Sequence, residues 1–134
     1  PALPHLREML TDEKLASRHP FAVRYMAKAG GVHAGPDLIK VLEEELAFWK
    51  KQVPNLRGTR WSDEPPQLRL RRVKLEQALQ AVDWIGCAAA RDAVTATRDY
   101  WQAEPKLTRL KTRIIAYCNM YLRHHPSKQP EPSS

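Results

Sequence analysis

The sequence predicts an all-α protein: a single helical bundle of about five to six helices, with a long central helix and a basic C-terminal helix. Apolar residues recur every three or four positions over long stretches, which is typical of helices packed on a core. Prolines and glycines punctuate the chain at intervals that suit helices, and no strand pair or internal repeat is recognisable. We place the helical domain at residues 1–125 and a disordered tail or linker at residues 126–134.

The first half of the chain predicts three helical segments. Residues 3–18 carry regularly spaced leucines, and Thr11 is the expected N-cap that divides this segment in two. Pro20 suits the first turn of a second helix, which ends before Gly30 and Gly31. Pro36 opens the third helix, whose acidic first turn and basic last turn match the helix dipole. The acidic run at residues 43–45 is expected to lie on a solvated face of that helix.

Residues 54–66 have the Pro, Gly, Asn and Ser content of a loop. Long loops often carry function, and Arg57, Arg60 and Trp61 give this one a possible contact surface. Residues 66–104 follow as one long helix with a kink, or as two helices that meet near Gly86. Of the other tryptophans, we expect Trp49, Trp84 and Trp101 to lie in the core.

The segment that begins at residue 67 carries two apolar stripes, which predicts a central helix with two neighbours or a helix shared with a partner chain. Its basic residues are not equivalent. Arg72 has Glu76 four positions later, a spacing that permits an ion pair within the helix. Arg71 and Lys74 have no acid three or four positions away, so we interpret them as candidates for contact with an external anion.

The last predicted helix begins at Pro105 and contains no Asp or Glu up to Gln129. Its expected core stripe leaves Lys106, Arg109 and Arg113 in a row on the outer face, and Arg123 extends the basic character. A solvated helix face usually mixes both signs of charge, whereas a row of cations can contact a row of phosphates. The core stripe comprises Leu107, Leu110, Ile114, Tyr117, Cys118 and Tyr121.

Composition places the 134-residue chain among ordinary globular proteins, with 43% hydrophobic and 28% charged residues. The net charge is +7, and the second half carries most of the excess, with thirteen Lys and Arg against eight Asp and Glu after residue 57. No apolar run is long enough to span a membrane and no signal segment is visible, so we expect a cytoplasmic or virion-internal location. The two cysteines are expected in the core, and the chain is compatible with a fragment of a longer protein.

No catalytic or phosphate-loop motif is present, and the five histidines are not spaced as metal ligands. We therefore expect no cofactor, no metal and no enzymatic activity.

The leading functional hypothesis is a nucleic-acid-binding domain that contacts the phosphate backbone of DNA or RNA, as part of a replication, mobile-element, viral or defence complex. Other hypotheses are a protein-interaction or homodimerisation module that uses the central helix, a domain held to acidic membrane and, last, an enzyme. The predicted contacts are Lys106, Arg109, Arg113 and Arg123, flanked by Arg71, Lys74, Arg57, Arg60 and Trp61.

Overall fold

The computed structural model describes residues 2–56, 66–105 and 107–126, and these residues form helices and short connections without any strand. The predicted all-α fold is therefore confirmed. Short 3-10 helices at Glu13–Arg18, Gly31–Ala34 and Ala88–Ala90 join longer α-helices within this part of the chain. The α-helices are α1 (Ala2–Thr11), α2 (His19–Gly30), α3 (Gly35–Leu56), α4 (Pro66–Trp84), α5 (Arg91–Ala103) and α6 (Thr108–His124).

The break after α1 lies one residue later than predicted. The Thr11 hydroxyl donates a hydrogen bond to the Glu8 carbonyl at 2.8 Å, so Thr11 completes the last turn of α1. Asp12 is the N-cap instead, since its carboxylate accepts a hydrogen bond from the Lys14 amide at 3.0 Å. The prediction of Thr11 as the N-cap was wrong. Thr and Asp both suit an N-cap position, so their adjacent places in the sequence did not decide between them.

Helix α3 runs past its predicted end through Pro54 to Leu56. A proline ring removes one backbone donor and is costly inside a helix. Here it falls in the last turn, and Val53 and Leu56 on either side of it are buried, with 0% and 7% of their surface exposed. Burial of these two apolar side chains stabilises the final turn enough to carry the helix through the proline.

The segment from residue 66 to residue 103 is divided into two helices, which confirms the second of the two predicted arrangements. Gly86 lies between them with a φ of 71°, a left-handed conformation that glycine adopts without steric cost. The turn is fastened to the end of α6: the Tyr121 hydroxyl donates to the Cys87 carbonyl, and Arg91 donates to the His125 carbonyl. Helix α4 is therefore 19 residues long and ends at Trp84.

Helix α6 begins at Thr108, three residues after the predicted start. Leu107 has a φ of 60°, which is unusual for a residue with a side chain and separates α6 from the chain before it. Glu104 is buried, and its backbone carbonyl accepts a hydrogen bond from the Lys111 ammonium at 2.6 Å. The predicted start at Pro105 was wrong because Pro105 and Leu107 both lie outside the helix, before its first residue.

Helix α4 is the central helix of the described bundle, with α2, α3 and α6 packed around it. Helix α5 packs on α6 and α3, where the rings of Trp49 and Trp101 lie 5.7 Å apart. Both of these tryptophans are fully buried, as predicted, whereas Trp84 is 69% exposed and its predicted place in the core was wrong. The predicted core stripe of α6 is confirmed, with its fully buried members being Leu110, Ile114, Cys118 and Tyr121.

Helix α1 is held to the bundle by a buried histidine at the start of α2. His19 Nε2 lies 3.0 Å from the carbonyl oxygens of both Met9 and Asp12, which binds the end of α1 to α2. Burial lowers the pKa of His19 below its ordinary value, and the positive charge of Lys74 lowers it further. The neutral imidazole is therefore the form that the folded protein prefers.

This preference predicts a loss of stability in mild acid. The unfolded chain takes up a proton at the ordinary pKa of histidine, about 6.5, while the folded chain resists it. The free energy of unfolding should therefore be fully retained above pH 6.5 and should fall as the pH drops below that value. Urea denaturation of the parent protein and of His19→Gln between pH 7.5 and 5 measures the effect, and the variant should lose much of this pH dependence.

His33 is exposed and provides the matched control. His33→Gln should keep the pH dependence of the parent protein, and an equal loss in both variants would show that His19 is not its source.

Candidate nucleic-acid interface

A carboxylate in the core of the bundle holds two of the basic residues that the sequence offered as external contacts. Glu45 on α3 is fully buried, and its Oε2 lies 2.8 Å from Arg71 Nη2 and 3.6 Å from Lys74 Nζ on α4. The prediction of a solvated face at residues 43–45 was therefore wrong for Glu45. Arg71 and Lys74 were interpreted as candidates for an external anion because no acid lies three or four positions away in the sequence, and the structure supplies an acid to both from another helix.

Burial shapes the chemistry of this cluster. It raises the pKa of Glu45 and lowers the pKa of Lys74, since both charged forms are poorly solvated, while the opposite charge of each partner acts against the shift. The Arg71 guanidinium also lies 3.8 Å from the centre of the Phe48 ring, an arrangement that favours a cation. Lys74 is only 6% exposed. These contacts direct the charged groups of both side chains toward α3, where Lys74 is buried and Arg71 is partly exposed.

A second acid, Glu76, is shared by two arginines between α4 and α6. Arg72 Nη1 donates to Glu76 Oε2 at 3.1 Å, which confirms the predicted pair within α4. Arg113 on α6 adds two hydrogen bonds, from Nε at 3.0 Å and from Nη2 at 3.1 Å. One buried carboxylate thus faces two guanidinium groups, and the side chain of Arg113 remains 56% exposed. A positive charge is left in excess on this side of α6.

The outer face of α6 is basic along its length. Arg109, Arg113 and Arg123 are exposed, and neither Arg109 nor Arg123 has an acid within ion-pairing distance among the described residues. Helical geometry places Arg109 and Arg113 about 6 Å apart along the axis, with Arg123 about 15 Å further on. Lys111 points to the Glu104 carbonyl instead. The described part of the predicted basic row therefore lies together on one exposed surface, which we call the α6 ridge (Arg109, Arg113 and Arg123).

A groove of about 540 Å³ lies between α2, α4 and α6. Helix α2 contributes two exposed cations to its far wall, and the end of α4 contributes two glutamines and the exposed indole of Trp84. Met120 and His124 of α6 form the near wall. The groove is lined by Arg24, Ala27, Lys28, Gln77, Gln80, Ala81, Asp83, Trp84, Met120 and His124.

Asp83 is the only acidic residue that lines the groove within the described part of the chain, and its carboxylate is already engaged. Its oxygens lie 2.9 Å from His124 Nδ1 and 2.9 Å from His125 Nε2. The ring of His125 also stacks on Tyr121, with centroids 4.5 Å apart. The two histidines therefore join the end of α6 to the end of α4, and the Asp83 carboxylate is already paired with them.

Sequence reasoning missed most of the groove. Arg24 and Lys28 lie in a helix whose charges looked ordinary, and only the fold brings them opposite α6. The sequence did indicate the orientation of Trp84, because this residue lies nine positions after Leu75 and so points to the opposite side of α4 at about 100° per residue. That second stripe was predicted, but not that its end is left uncovered by the neighbouring helices.

Four predicted contact residues, Arg57, Arg60, Trp61 and Lys106, lie outside the described residues, as do residues 127–134. Within the described ranges, no group of three or more His, Cys, Asp and Glu is arranged to hold a metal ion. A search of the same ranges finds no helix with the length and apolar character to cross a membrane. Comparisons with protein-family models, with curated proteins and with solved structures found no match.

Because Glu45 is buried in this cluster, its loss should lower the stability of the protein far more than the loss of an exposed acid nearby on α3. Glu45→Gln leaves Lys74 buried without its counter-ion and should lower the free energy of unfolding by about 3 kcal/mol. Glu43→Gln, two positions away on the exposed side, should change it by less than about 0.5 kcal/mol. Urea denaturation followed by circular dichroism measures both variants.

The double variant Glu45→Gln with Lys74→Met should recover much of the loss, since an apolar side chain then occupies the site without a buried charge. Equal stability of the Glu45→Gln and Glu43→Gln variants would contradict an internal role for the cluster.

Proposed function

We propose that this chain binds nucleic acid through the phosphate backbone, with the α6 ridge and the two cations of α2 as its contact surface. The observation that carries the proposal is the exposure of Arg109, Arg113 and Arg123 on a helix that contains no acidic residue. Phosphate contacts of this kind depend on charge and reach, and require no enzyme-like site.

Arg24 and Lys28 extend the basic surface across the groove from α6. Both are exposed, and neither is paired with an acid among the described residues. A strand that follows the α6 ridge into the groove would therefore have cations on both sides of its backbone. Such an arrangement attracts a polyanion more strongly than the same charges scattered over the surface, and it favours release of condensed counter-ions.

The contact set differs from the one expected on sequence grounds in two respects. Arg71 and Lys74 are left out, because Glu45 already neutralises part of their charge inside the bundle. Arg24 and Lys28 are added. Arg57, Arg60, Trp61 and Lys106 remain candidates on the basis of the sequence alone.

Five cations at the surface predict a steep dependence of affinity on salt. If Arg24, Lys28 and the three arginines of the α6 ridge all contact phosphates of a single strand, the slope of log K against log salt concentration should be about −3.5. Fluorescence anisotropy with a labelled oligonucleotide of about 12 nucleotides, a length within the range that small domains cover, measures that slope. Absence of binding even at low salt would remove the proposal.

Charge reversal locates the surface. The double variant Arg109→Glu with Arg123→Glu should weaken binding at least about 30-fold and reduce the magnitude of the slope by at least about 1.4, since two phosphate contacts are lost. Arg113 is left unchanged because it also holds Glu76. The matched control is Lys40→Glu with Lys51→Glu on α3, which makes the same change in net charge at exposed positions away from the α6 ridge and the groove. Equal loss in both variants would show that only net charge matters.

Protein interaction is the second candidate function, and exposed apolar side chains favour it. Trp84 is 69% exposed, Phe21 57% and Met120 38%, on three different helices. The Ala-rich segment at residues 87–94 is a less favoured surface for such an interaction, because Ala90 and Val94 are buried within the chain itself. This function predicts a concentration-dependent dimer in sedimentation velocity experiments that Trp84→Ala shifts to the monomer and that Arg109→Glu with Arg123→Glu leaves unchanged.

A further inference from the structure

We propose that the groove between α2, α4 and α6 holds an unpaired nucleobase stacked on Trp84, so that the bound nucleic acid is single-stranded. This inference rests on the proposed function and adds to it the kind of strand that is recognised. It is carried by the groove itself, in which an exposed indole lies together with two cations of α2, Arg24 and Lys28.

The position of Trp84 is fixed by the fold. It is the last residue of α4, and the chain turns away at Gly86, two residues later. The side of α4 that carries Leu75, Leu79 and Val82 is buried, which directs the indole to the opposite side, where α2 and α6 leave a gap. An indole with 69% of its surface exposed forgoes much of the stabilisation that burial of its large apolar area would give. A stacked base would supply that burial.

The cations of the groove favour a nucleotide over an apolar peptide as the occupant. Arg24 and Lys28 line the α2 wall, and on the α6 wall the lining residue His124 directly follows Arg123 in the chain. The acid in the groove, Asp83, already faces His124 and His125. Aromatic rings set within a basic groove are the usual means by which proteins bind single strands, since every base has a π face and every nucleotide brings a phosphate.

Two amide side chains complete the surroundings of the indole. Gln77 and Gln80 precede Trp84 on α4 and line the same groove. No hydrogen bond joins either amide to another residue in the described ranges. Each amide offers both a donor and an acceptor, the combination that a base edge requires. The chemistry of the groove therefore provides a ring for the base face, amides for its edge and cations for its phosphates.

The test compares probes that have equal numbers of phosphates and differ in their bases. The first is a labelled 12-nucleotide oligothymidine, the second is the same backbone with abasic residues throughout, and the third is a duplex with a matched number of phosphates. Anisotropy titrations at one fixed salt concentration give the three affinities. We expect the intact single strand to bind between about five-fold and about 100-fold more tightly than the abasic strand, the range that corresponds to loss of one stacked base.

Variants assign the effect to one side chain. Trp84→Ala should reduce the affinity for the intact strand to that for the abasic strand and leave the abasic strand unaffected. Trp84→Phe, which keeps an aromatic ring, should retain most of the preference for the intact strand over the abasic strand. This variant keeps the proposal testable even if the alanine variant does not fold. Phe21→Ala is the matched control, since Phe21 is an exposed aromatic residue that does not line the groove.

Intrinsic fluorescence gives a second measure. Trp49 and Trp101 are fully buried, so in a Trp61→Phe background the exposed indole is that of Trp84. The intact strand should quench this emission and the abasic strand should not.

The outcomes separate the two proposals. Equal affinity for intact and abasic strands, or tighter binding of the duplex, would overturn base stacking while leaving phosphate binding in place. An equal loss of preference in Phe21→Ala would also overturn the role of Trp84. Failure of all three probes to bind at low salt would overturn the proposed function itself, and base stacking with it.

Discussion

The buried carboxylate of Glu45 fixes the rotation of the central helix, and the two surfaces of α4 follow from that rotation. Its partners Arg71 and Lys74 both belong to α4, and Lys74 is almost fully enclosed. A rotation of α4 by one residue, about 100°, would carry the buried ammonium away from its counter-ion. A buried ion cluster gives little net stabilisation, because desolvation of the charges offsets their attraction. Its effect here is to exclude other orientations of α4.

With α4 in this orientation, the division of its charges between interior and surface is determined. Glu45 forms ion pairs with Arg71 and Lys74 on the side of α4 that faces α3. Glu76 forms an ion pair with Arg72 on the side that faces α6. Of the basic residues of α4, which are the densest in the sequence, Arg71 and Lys74 therefore join α4 to α3, and Arg72 is paired within α4 itself. Within the described part of the chain, the exposed arginines of α6 have one acidic partner, Glu76, which pairs with Arg113. The basic surface of the protein is set by where the acids lie rather than by where the cations are most numerous.

The features predictable from the sequence were those that depend on neighbours along the chain. The core stripe of α6 and the pair of Arg72 with Glu76 follow from helical spacing, so periodicity was sufficient to find them. The partner of Lys74 was not predictable, because Glu45 precedes it by 29 positions and meets it only when α3 packs on α4. The exposure of Trp84 was missed for a similar reason. A stripe shows which side of a helix is apolar, whereas the fold decides which part of that side is covered.

Charge alone would not make such a surface select single strands. A duplex carries about one negative charge per 1.7 Å of its axis, twice the density of one of its strands, so a purely basic ridge attracts the duplex at least as strongly. Selection requires a contribution that base pairing removes, and stacking on an exposed ring is such a contribution, because the bases of a duplex are already stacked on each other. In this protein the ridge and the ring lie on different helices, Arg109 and Arg123 on α6 and Trp84 at the end of α4. The proposed phosphate contacts and the proposed base stacking can therefore be tested independently, since a substitution on one helix leaves the other in place.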